Sequence, residues 1–95
     1  MENYPNPFNP ETTIKYSIPE ESRVVVKIYN LRGQEIRTLF DGRQQAGGHS
    51  VLWDGRNEFD EALASGIYVA RLVAGAASAG RAERVVQSRK IVLVK

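Results

Sequence analysis

Apolar and polar residues alternate along several short segments of the chain, which is the pattern of half-buried β-strands. The first such segment, residues 13–18, ends before Pro19, and the second, residues 23–29, is rich in β-branched side chains. Three apolar residues of each segment fall on a single face and are predicted to point into a core. They are Ile14, Tyr16 and Ile18 in the first segment and Val24, Val26 and Ile28 in the second.

A third strand, about residues 35–40, is predicted to return after a turn at Asn30-Leu31-Arg32-Gly33, where Gly33 is free to adopt a positive φ. Within this strand Ile36 and Leu39 lie three positions apart. That spacing fits neither a regular strand nor a long helix, and it predicts a bulge or a strong twist.

Three further strands are predicted after this hairpin, and no helical periodicity of useful length is present. A polar loop bounded by Asp41-Gly42 and Gly47-Gly48 is expected before the first of them. The last strand has apolar residues on both faces from Ile91 to Val94, so it is either central and covered on both sides or partly exposed and open to edge pairing. The strands lie at residues 49–53, 66–73, with Tyr68, Ala70 and Leu72 facing the core, and 83–94.

Six or seven short strands separated by turns predict an all-β fold, an immunoglobulin-like antiparallel β-sandwich of about seven strands. A small barrel is the alternative. With 95 residues the chain is expected to form one domain, residues 1–95. The Cys–Trp–Cys signature of antibody domains is absent, so Trp53 has to pack against aliphatic neighbours.

Composition restricts the chemistry that this domain can perform. The chain has no cysteine and one histidine, His49, which excludes disulfides, thiol nucleophiles and metal sites built on paired histidines. We therefore expect no enzyme activity, no catalytic residue, no metal and no cofactor. The carboxylates of residues 54–61 offer oxygen ligands, but their spacing matches no calcium-binding loop, so a solvated acidic turn is the better interpretation.

Charge and hydropathy also limit the partners. The net charge of +2 is too small to indicate a nucleic-acid partner by itself, and no apolar run approaches the roughly 20 residues of a membrane span. Positive charge is nevertheless concentrated at the end of the chain, because residues 81–95 carry a net charge of +4 and residues 1–80 a net charge of −2. This basic end is a candidate contact for an acidic partner.

A set of motifs in order along nearly the whole chain resembles a known family, the type A C-terminal sorting domain of the type IX (Por) secretion system. The chain is also similar to the related immunoglobulin-like domain of flagellar hook-capping proteins, which shares the NLRG, WDG and SGxY elements. The opening YPNPFNP and the final lysine favour the sorting domain. The motifs are Tyr4-Pro5-Asn6-Pro7-Phe8-Asn9-Pro10, Asn30-Leu31-Arg32-Gly33, Trp53-Asp54-Gly55, Ser65-Gly66-Ile67-Tyr68 and the terminal Lys90 to Lys95.

The resemblance implies a non-catalytic secretion signal and cell-surface attachment module, the last part of a larger secreted protein that is often a hydrolase. It implies as partners the type IX outer-membrane translocon, sortase-like outer-membrane proteins and the preceding domain of the parent chain. It also implies transit through the periplasm to the cell surface or the extracellular medium. An accessory carbohydrate-binding module or a structural immunoglobulin-like module is the alternative function.

Two segments are predicted to make the contacts. The proline-rich opening, residues 1–10, would form a junction or a recognition face, or alternatively a lid over the core. The basic terminal strand, residues 83–95, would bind a partner by strand addition, or alternatively close the sheet with lysines that discourage aggregation. The predicted partner-binding residues are Arg89, Lys90, Ile91, Val92, Leu93, Val94 and Lys95, and those of the opening motif are Tyr4, Pro5, Asn6, Pro7 and Phe8.

One departure from the family pattern concerns the loop after the WDG motif. Family members commonly place glycine there, whereas this chain reads Glu58-Phe59-Asp60-Glu61. The geometry of that turn is therefore open at the level of sequence.

Overall fold

The computed structural model describes residues 11–76 and 84–94, and in these ranges the chain forms strands joined by turns and loops. The opening motif from Tyr4 to Phe8 and the final Lys95 lie outside the described residues. The predicted all-β class is confirmed, with six strands in the described part where about seven were predicted. They are β1 (Thr12–Ile18), β2 (Ser22–Tyr29), β3 (Glu35–Gln44), β4 (Gly47–Trp53), β5 (Gly66–Ala76) and β6 (Arg84–Leu93).

The strands form two antiparallel sheets of unequal size. The larger sheet has the order β3-β2-β5-β6, and the smaller consists of β1 and β4. Apolar side chains from the two sheets meet in two clusters, one around Trp53 and one around Tyr16. This is the predicted immunoglobulin-like sandwich.

The inward faces are those that the alternation of residues predicts. A strand places successive side chains on opposite faces, so every second residue of β1, β2 and β5 enters the core. Burying this apolar surface is the main favourable contribution to folding in a chain without disulfides. The residues predicted to face inward are all buried, namely Ile14, Tyr16, Ile18, Val24, Val26, Ile28, Tyr68, Ala70 and Leu72.

The predicted irregularity in β3 is confirmed as two breaks in its register with β2. Val26 pairs with Phe40 and Lys27 with Thr38, so Leu39 is an extra residue, and the second break leaves Ile36 without a partner in the same way. Each bulge turns its apolar side chain toward the core, where both residues pack against buried neighbours. Their spacing of three is thereby explained.

The predicted loop starting at Asp41-Gly42 is wrong, because β3 continues through these residues to Gln44. Asp41 lies opposite Val25 on β2, and its carboxylate accepts a bidentate contact from Arg23 at 2.8–2.9 Å. This cross-strand pair holds residues with turn propensity in the ladder. The connection to β4 is instead the two residues Gln45 and Ala46, which follow the end of β3 directly.

The last strand lies at an edge of the larger sheet. Of the two positions that its sequence allowed, central and covered on both sides or partly exposed at an edge, the structure has the second. Only β5 pairs with β6 among the described strands. Ile91 and Leu93 enter the core, whereas Val92 and Val94 are 59% and 69% exposed on the other side. The two apolar faces of this strand thus have different environments.

Candidate interaction surface

The NLRG motif forms the turn between β2 and β3. The side-chain Oδ1 of Asn30 accepts the backbone N–H groups of Arg32 at 2.9 Å and Gln34 at 3.0 Å, and Gly33 has a φ of 85°. Asparagine favours such turns because its side chain can hydrogen-bond the backbone two residues later. The motif is therefore part of the framework.

A second turn with the same hydrogen bonds follows the WDG motif. Oδ1 of Asn57 accepts the N–H groups of Phe59 at 2.9 Å and Glu61 at 3.0 Å, as Asn30 does in the first turn. Asp60 occupies the position of Gly33 and has a φ of 64°. The missing glycine of this loop is thus replaced by an aspartate in the left-handed region, and the geometry of the turn is kept.

The WDG motif links the core to this turn. The fully buried Trp53 donates its indole Nε1–H to the carbonyl oxygen of Arg56 at 3.0 Å. Oδ1 of Asp54 accepts Arg37 Nη1 at 2.7 Å and the backbone N–H of Arg56 at 3.1 Å. Gly55 has a φ of 78°, in the left-handed region that glycine adopts readily in a tight turn.

The acidic side chains of this loop contact protein groups. Glu58 accepts the backbone N–H of Thr38 at 3.0 Å, and this contact caps part of the open edge of β3. Within residues 11–76 and 84–94 no three acidic or histidine side chains form a group that could hold a metal ion. No helix in the same ranges is long and apolar enough to cross a membrane.

The SGxY motif begins β5 and completes the same core cluster. The Tyr68 hydroxyl donates to the carbonyl oxygen of Ala64 at 2.8 Å, and its ring meets Trp53 edge to face at 5.4 Å between centroids. All three motifs shared with hook-capping proteins therefore build turns and core contacts. They mark the fold, and they do not by themselves mark a binding site.

His49 packs at the opposite end of the sandwich. Its ring stacks on Tyr16 at a centroid distance of 5.7 Å, and its Nε2–H donates to the carbonyl oxygen of Gln45 at 2.7 Å. The Tyr16 hydroxyl donates to Oε1 of Gln44. Burial raises the pKa of the Tyr16 phenol above its ordinary value of 10.0.

This raised pKa predicts a loss of stability at alkaline pH. Above about pH 10 the unfolded chain releases the Tyr16 proton while the folded chain retains it, so the free energy of unfolding falls as the pH rises. The Tyr16→Phe variant lacks this proton and should lose less stability between about pH 9 and pH 11.5, as measured by urea unfolding. Below pH 9 the two proteins should differ by a constant amount, and parallel curves over the whole range would contradict the prediction.

The predicted terminal binding segment is divided between core and surface. Ile91 and Leu93 belong to the core, whereas Arg89, Lys90 and Val92 are exposed. Alternate residues of the segment are thus unavailable to a partner in the folded domain. The outer face presents Lys90, Val92 and Val94.

The exposed residues of β6 continue into an apolar patch on the outer face of the larger sheet. The register places Val92 beside Ile67, and Val69 between Lys90 and Tyr29. A cleft of about 300 Å³ lies beside this patch, bordered by Leu31 of the NLRG turn and by the cation Arg71. We call it the outer patch and define it as Tyr29, Leu31, Ile67, Val69 and Val92.

Sequence reasoning missed most of the outer patch. Ile67 and Val69 alternate with residues that were correctly assigned to the core, and an outward apolar residue on a strand is common enough to pass unnoticed. The sequence did contain a signal for an outer apolar surface, because the last strand has apolar residues on both faces from Ile91 to Val94. Only the register of β2, β5 and β6 brings these side chains together.

Charge differs between the two halves of the larger sheet. On β2 and β3 the cations pair with carboxylates, as in the contacts of Arg23 with Asp41 at 2.8 Å and of Lys27 with Glu35 at 3.1 Å. On β5 and β6 the described residues include no carboxylate. The four cations of these two strands are Arg71, Arg84, Arg89 and Lys90.

These features define the chain as a module of the immunoglobulin-like β-sandwich class, with two turns that are held by the same asparagine hydrogen bonds. The family model of the FlgD Ig-like domain matches residues 9–81, and the chain belongs to this family. Among solved structures it is similar to FLGD from P. aeruginosa, with a TM-score of 0.69 and 20% sequence identity. That match covers 86% of this chain and 61% of FLGD. No curated protein matches the chain.

The identification as a type IX sorting domain is wrong, because the matching family is that of the FlgD Ig-like domain. The predictions that depended on it are corrected with it: the secretion-signal function, the translocon and sortase-like partners, and the passage through the periplasm to the cell surface. The physical reason lies in the motifs, since NLRG, WDG and SGxY build turns and core contacts of the fold and therefore do not specify what the domain binds. The segments that favoured the sorting domain, Tyr4 to Phe8 and Lys95, lie outside the described residues.

Proposed function

We propose that the chain is a non-catalytic structural module that joins protein subunits in an assembly of the flagellar hook-capping type. The observation that carries the proposal is membership of the FlgD Ig-like domain family over residues 9–81. A non-catalytic role is supported by two described side chains of types that often act in catalysis, because His49 and Asp54 are engaged in packing and turn contacts. A carbohydrate-binding function gains no such support, since Trp53, Tyr16 and Tyr68 are buried.

We further propose that the outer patch is where the module contacts a subunit of the assembly. Apolar residues of this size exposed side by side are typical of interaction sites. Val92 is 59% and Ile67 40% exposed, and they are neighbours across β5 and β6. Arg71 and Lys90 border these residues and favour an acidic rim on the partner. In this proposal β6 contacts a subunit of the assembly, and not the translocon that the sequence analysis predicted.

The test is binding of the full 95-residue chain to the purified hook subunit of the same bacterium. Replacing both Ile67 and Val92 with lysine should weaken binding by about tenfold or more, because central apolar contacts carry most of the affinity of an interface. Both side chains point to solvent, Ile67 on the inner strand β5 and Val92 on the edge strand β6, where lysine is common, so the fold should persist. Circular dichroism and thermal melting check this for each variant.

A matched control is available on the same face of the same strand. Val86 is 47% exposed and pairs with Val73 at the far end of β6, away from the outer patch. Val86→Lys should change the affinity by less than about threefold, in keeping with its place outside the contact. An equal loss for Val86→Lys, or no binding of the unmodified chain, would contradict the proposal.

A further inference from the structure

The smaller sheet leaves part of the larger sheet uncovered. Side chains at positions 87, 89, 91 and 93 of β6 share one face, and Ile91 and Leu93 of that face are buried in the core. Gln87 and Arg89 are nevertheless exposed. Among the described side chains, the inner face of the sandwich is therefore open at Gln87 and Arg89.

This opening is a groove between β1 and β6. Its floor is apolar, because it is formed by side chains of β2 and β5 that also belong to the core. A cavity of about 40 Å³ lies in it, enough space for one small side chain. The groove is lined by Ile14, Lys15 and Tyr16 on the β1 side, by Val26, Ala70 and Leu72 at the floor, and by Gln87, Ser88 and Arg89 on the β6 side.

The β1 wall of the groove is a free strand edge. Among the described strands β1 pairs only with β4, through all seven residues from Thr12 to Ile18. Within residues 11–76 and 84–94, its second edge therefore presents backbone N–H and C=O groups that an added strand can pair. The edge of β3 differs, because two bulges and the carboxylate of Glu58 interrupt it.

The groove is also positively charged. Arg89 borders it on the inner face of β6, whereas the side chain of Lys15 points to the outer face of the smaller sheet, because Lys15 alternates with the buried Ile14 and Tyr16. Arg89 has no ion pair with a carboxylate within the ranges that the structure describes. The carboxylates that form ion pairs there contact cations of β2, β3 and the loop after β4. These pairs are Arg23 with Asp41, Lys27 with Glu35, Arg37 with Asp54, Arg43 with Glu21 and Arg56 with Asp60.

We propose that this groove accepts an extended acidic segment of another protein, which pairs with β1 as a third strand of the smaller sheet. A carboxylate of that segment faces Arg89, and a small apolar side chain two residues away, on the same face of the added strand, fills the cavity above Ala70 and Leu72. Strand addition of this kind draws its affinity from backbone pairing and its specificity from alternate side chains. The chemistry of the walls selects the negative charge.

The proposal is separate from the outer patch. Arg89 and Arg71 are on neighbouring strands, but they lie on opposite faces of the larger sheet, since Ala70, the partner of Arg89, is buried and Arg71 is exposed. If the hook subunit does not bind at the outer patch, the proposal for the groove is unaffected. If the acidic peptide does not bind in the groove, the proposal for the outer patch is likewise unaffected.

The probe is a blocked peptide of sequence TEVAVET, whose two glutamates and central alanine share one face of an extended strand, titrated into the uniformly ¹⁵N-labelled full chain. Amide signals of β1 and of Gln87 to Arg89 should shift together, and hydrogen exchange along β1 should slow, because the added strand pairs the free edge. The Arg89→Glu variant should bind TEVAVET about tenfold more weakly. That variant should instead prefer the charge-reversed peptide TKVAVKT.

Arg71→Glu is the matched control, with the same change of charge on the same sheet. Its affinity for TEVAVET should stay within about threefold of the unmodified chain, because residue 71 faces away from the groove. Equal losses for Arg71→Glu and Arg89→Glu, or shifts confined to the outer patch, would overturn the proposal. The same holds if no shifts occur at millimolar peptide.

Two further outcomes would name a different occupant and also overturn the proposal. Protection of β1 that rises with protein concentration in the absence of peptide would assign the groove to a second copy of the chain. Peptide binding that occurs only after removal of residues 1–10 would assign it to that segment of the same chain.

Discussion

Replacing Trp53 with alanine is expected to lower the free energy of unfolding by about 3–5 kcal/mol. The indole is the largest fully buried side chain, and it joins β4 to the cluster that contains Ile28, Tyr68 and Leu93. Alanine leaves a cavity there and removes the edge-to-face contact with Tyr68. A domain of 95 residues has a total stability of about 5–14 kcal/mol, so this single change should bring the protein close to unfolding.

Trp53→Phe separates packing from hydrogen bonding. It keeps an aromatic ring but removes the indole donor, while the carbonyl of Arg56 retains a long contact from Arg37 Nη1 at 3.4 Å. The loss should therefore be smaller, about 1–3 kcal/mol. Urea unfolding followed by circular dichroism measures both variants, since tryptophan fluorescence is lost.

Leu52→Ala is the control for this series. Leu52 is the preceding residue on the same strand, but it is 53% exposed on the opposite face. Its truncation should cost less than about 1 kcal/mol, because little apolar surface is withdrawn from water there. A cost for Trp53→Ala no larger than that of Leu52→Ala would show that the indole does not hold the two sheets together.

The strands were predictable because their periodicity is a local property. A period of two places Val24, Val26 and Ile28 on one face whatever the rest of the chain does, and the bulges of β3 follow from the spacing of Ile36 and Leu39. The error at Asp41-Gly42 arose where a tertiary contact overrides local preference. The pairing of Arg23 with Asp41 depends on the register of two strands, which no window of sequence reports.

The surfaces were less predictable than the core because the exposure of a residue on one sheet depends on whether the other sheet covers it. Arg89 and Ile91 occupy the same face of β6, and only the limited width of the smaller sheet exposes one and buries the other. The family assignment failed for a related reason. Motifs such as WDG and SGxY are conspicuous in the sequence because buried side chains and strained turns require them, and related folds share these requirements whatever they bind.

The two asparagine turns allow a direct test of one backbone position in two sequence contexts. Gly33 and Asp60 occupy equivalent places, with φ angles of 85° and 64°. A side chain in the left-handed region costs about 1–2 kcal/mol, and aspartate is among the residues that tolerate it best. A Cβ added at Gly33 would meet no atom within 4 Å, so a substitution there reports the backbone cost alone.

Gly33→Ala is therefore expected to lower the free energy of unfolding by about 1–2 kcal/mol, whereas Asp60→Gly should raise it by up to about 1 kcal/mol. Asp60 loses little on truncation, because its exposed contact with Arg56 Nε is 3.9 Å long and the hydrogen bond from Arg56 Nη1 goes to its backbone oxygen. Gly33→Asp should cost less than Gly33→Ala, since aspartate is accepted at the equivalent position of the second turn. Thermal and urea unfolding measure the change in the free energy of unfolding for each of the three variants. Changes of the same sign for Gly33→Ala and Asp60→Gly would mean that the two turns, despite their shared hydrogen bonds, do not impose the same backbone requirement.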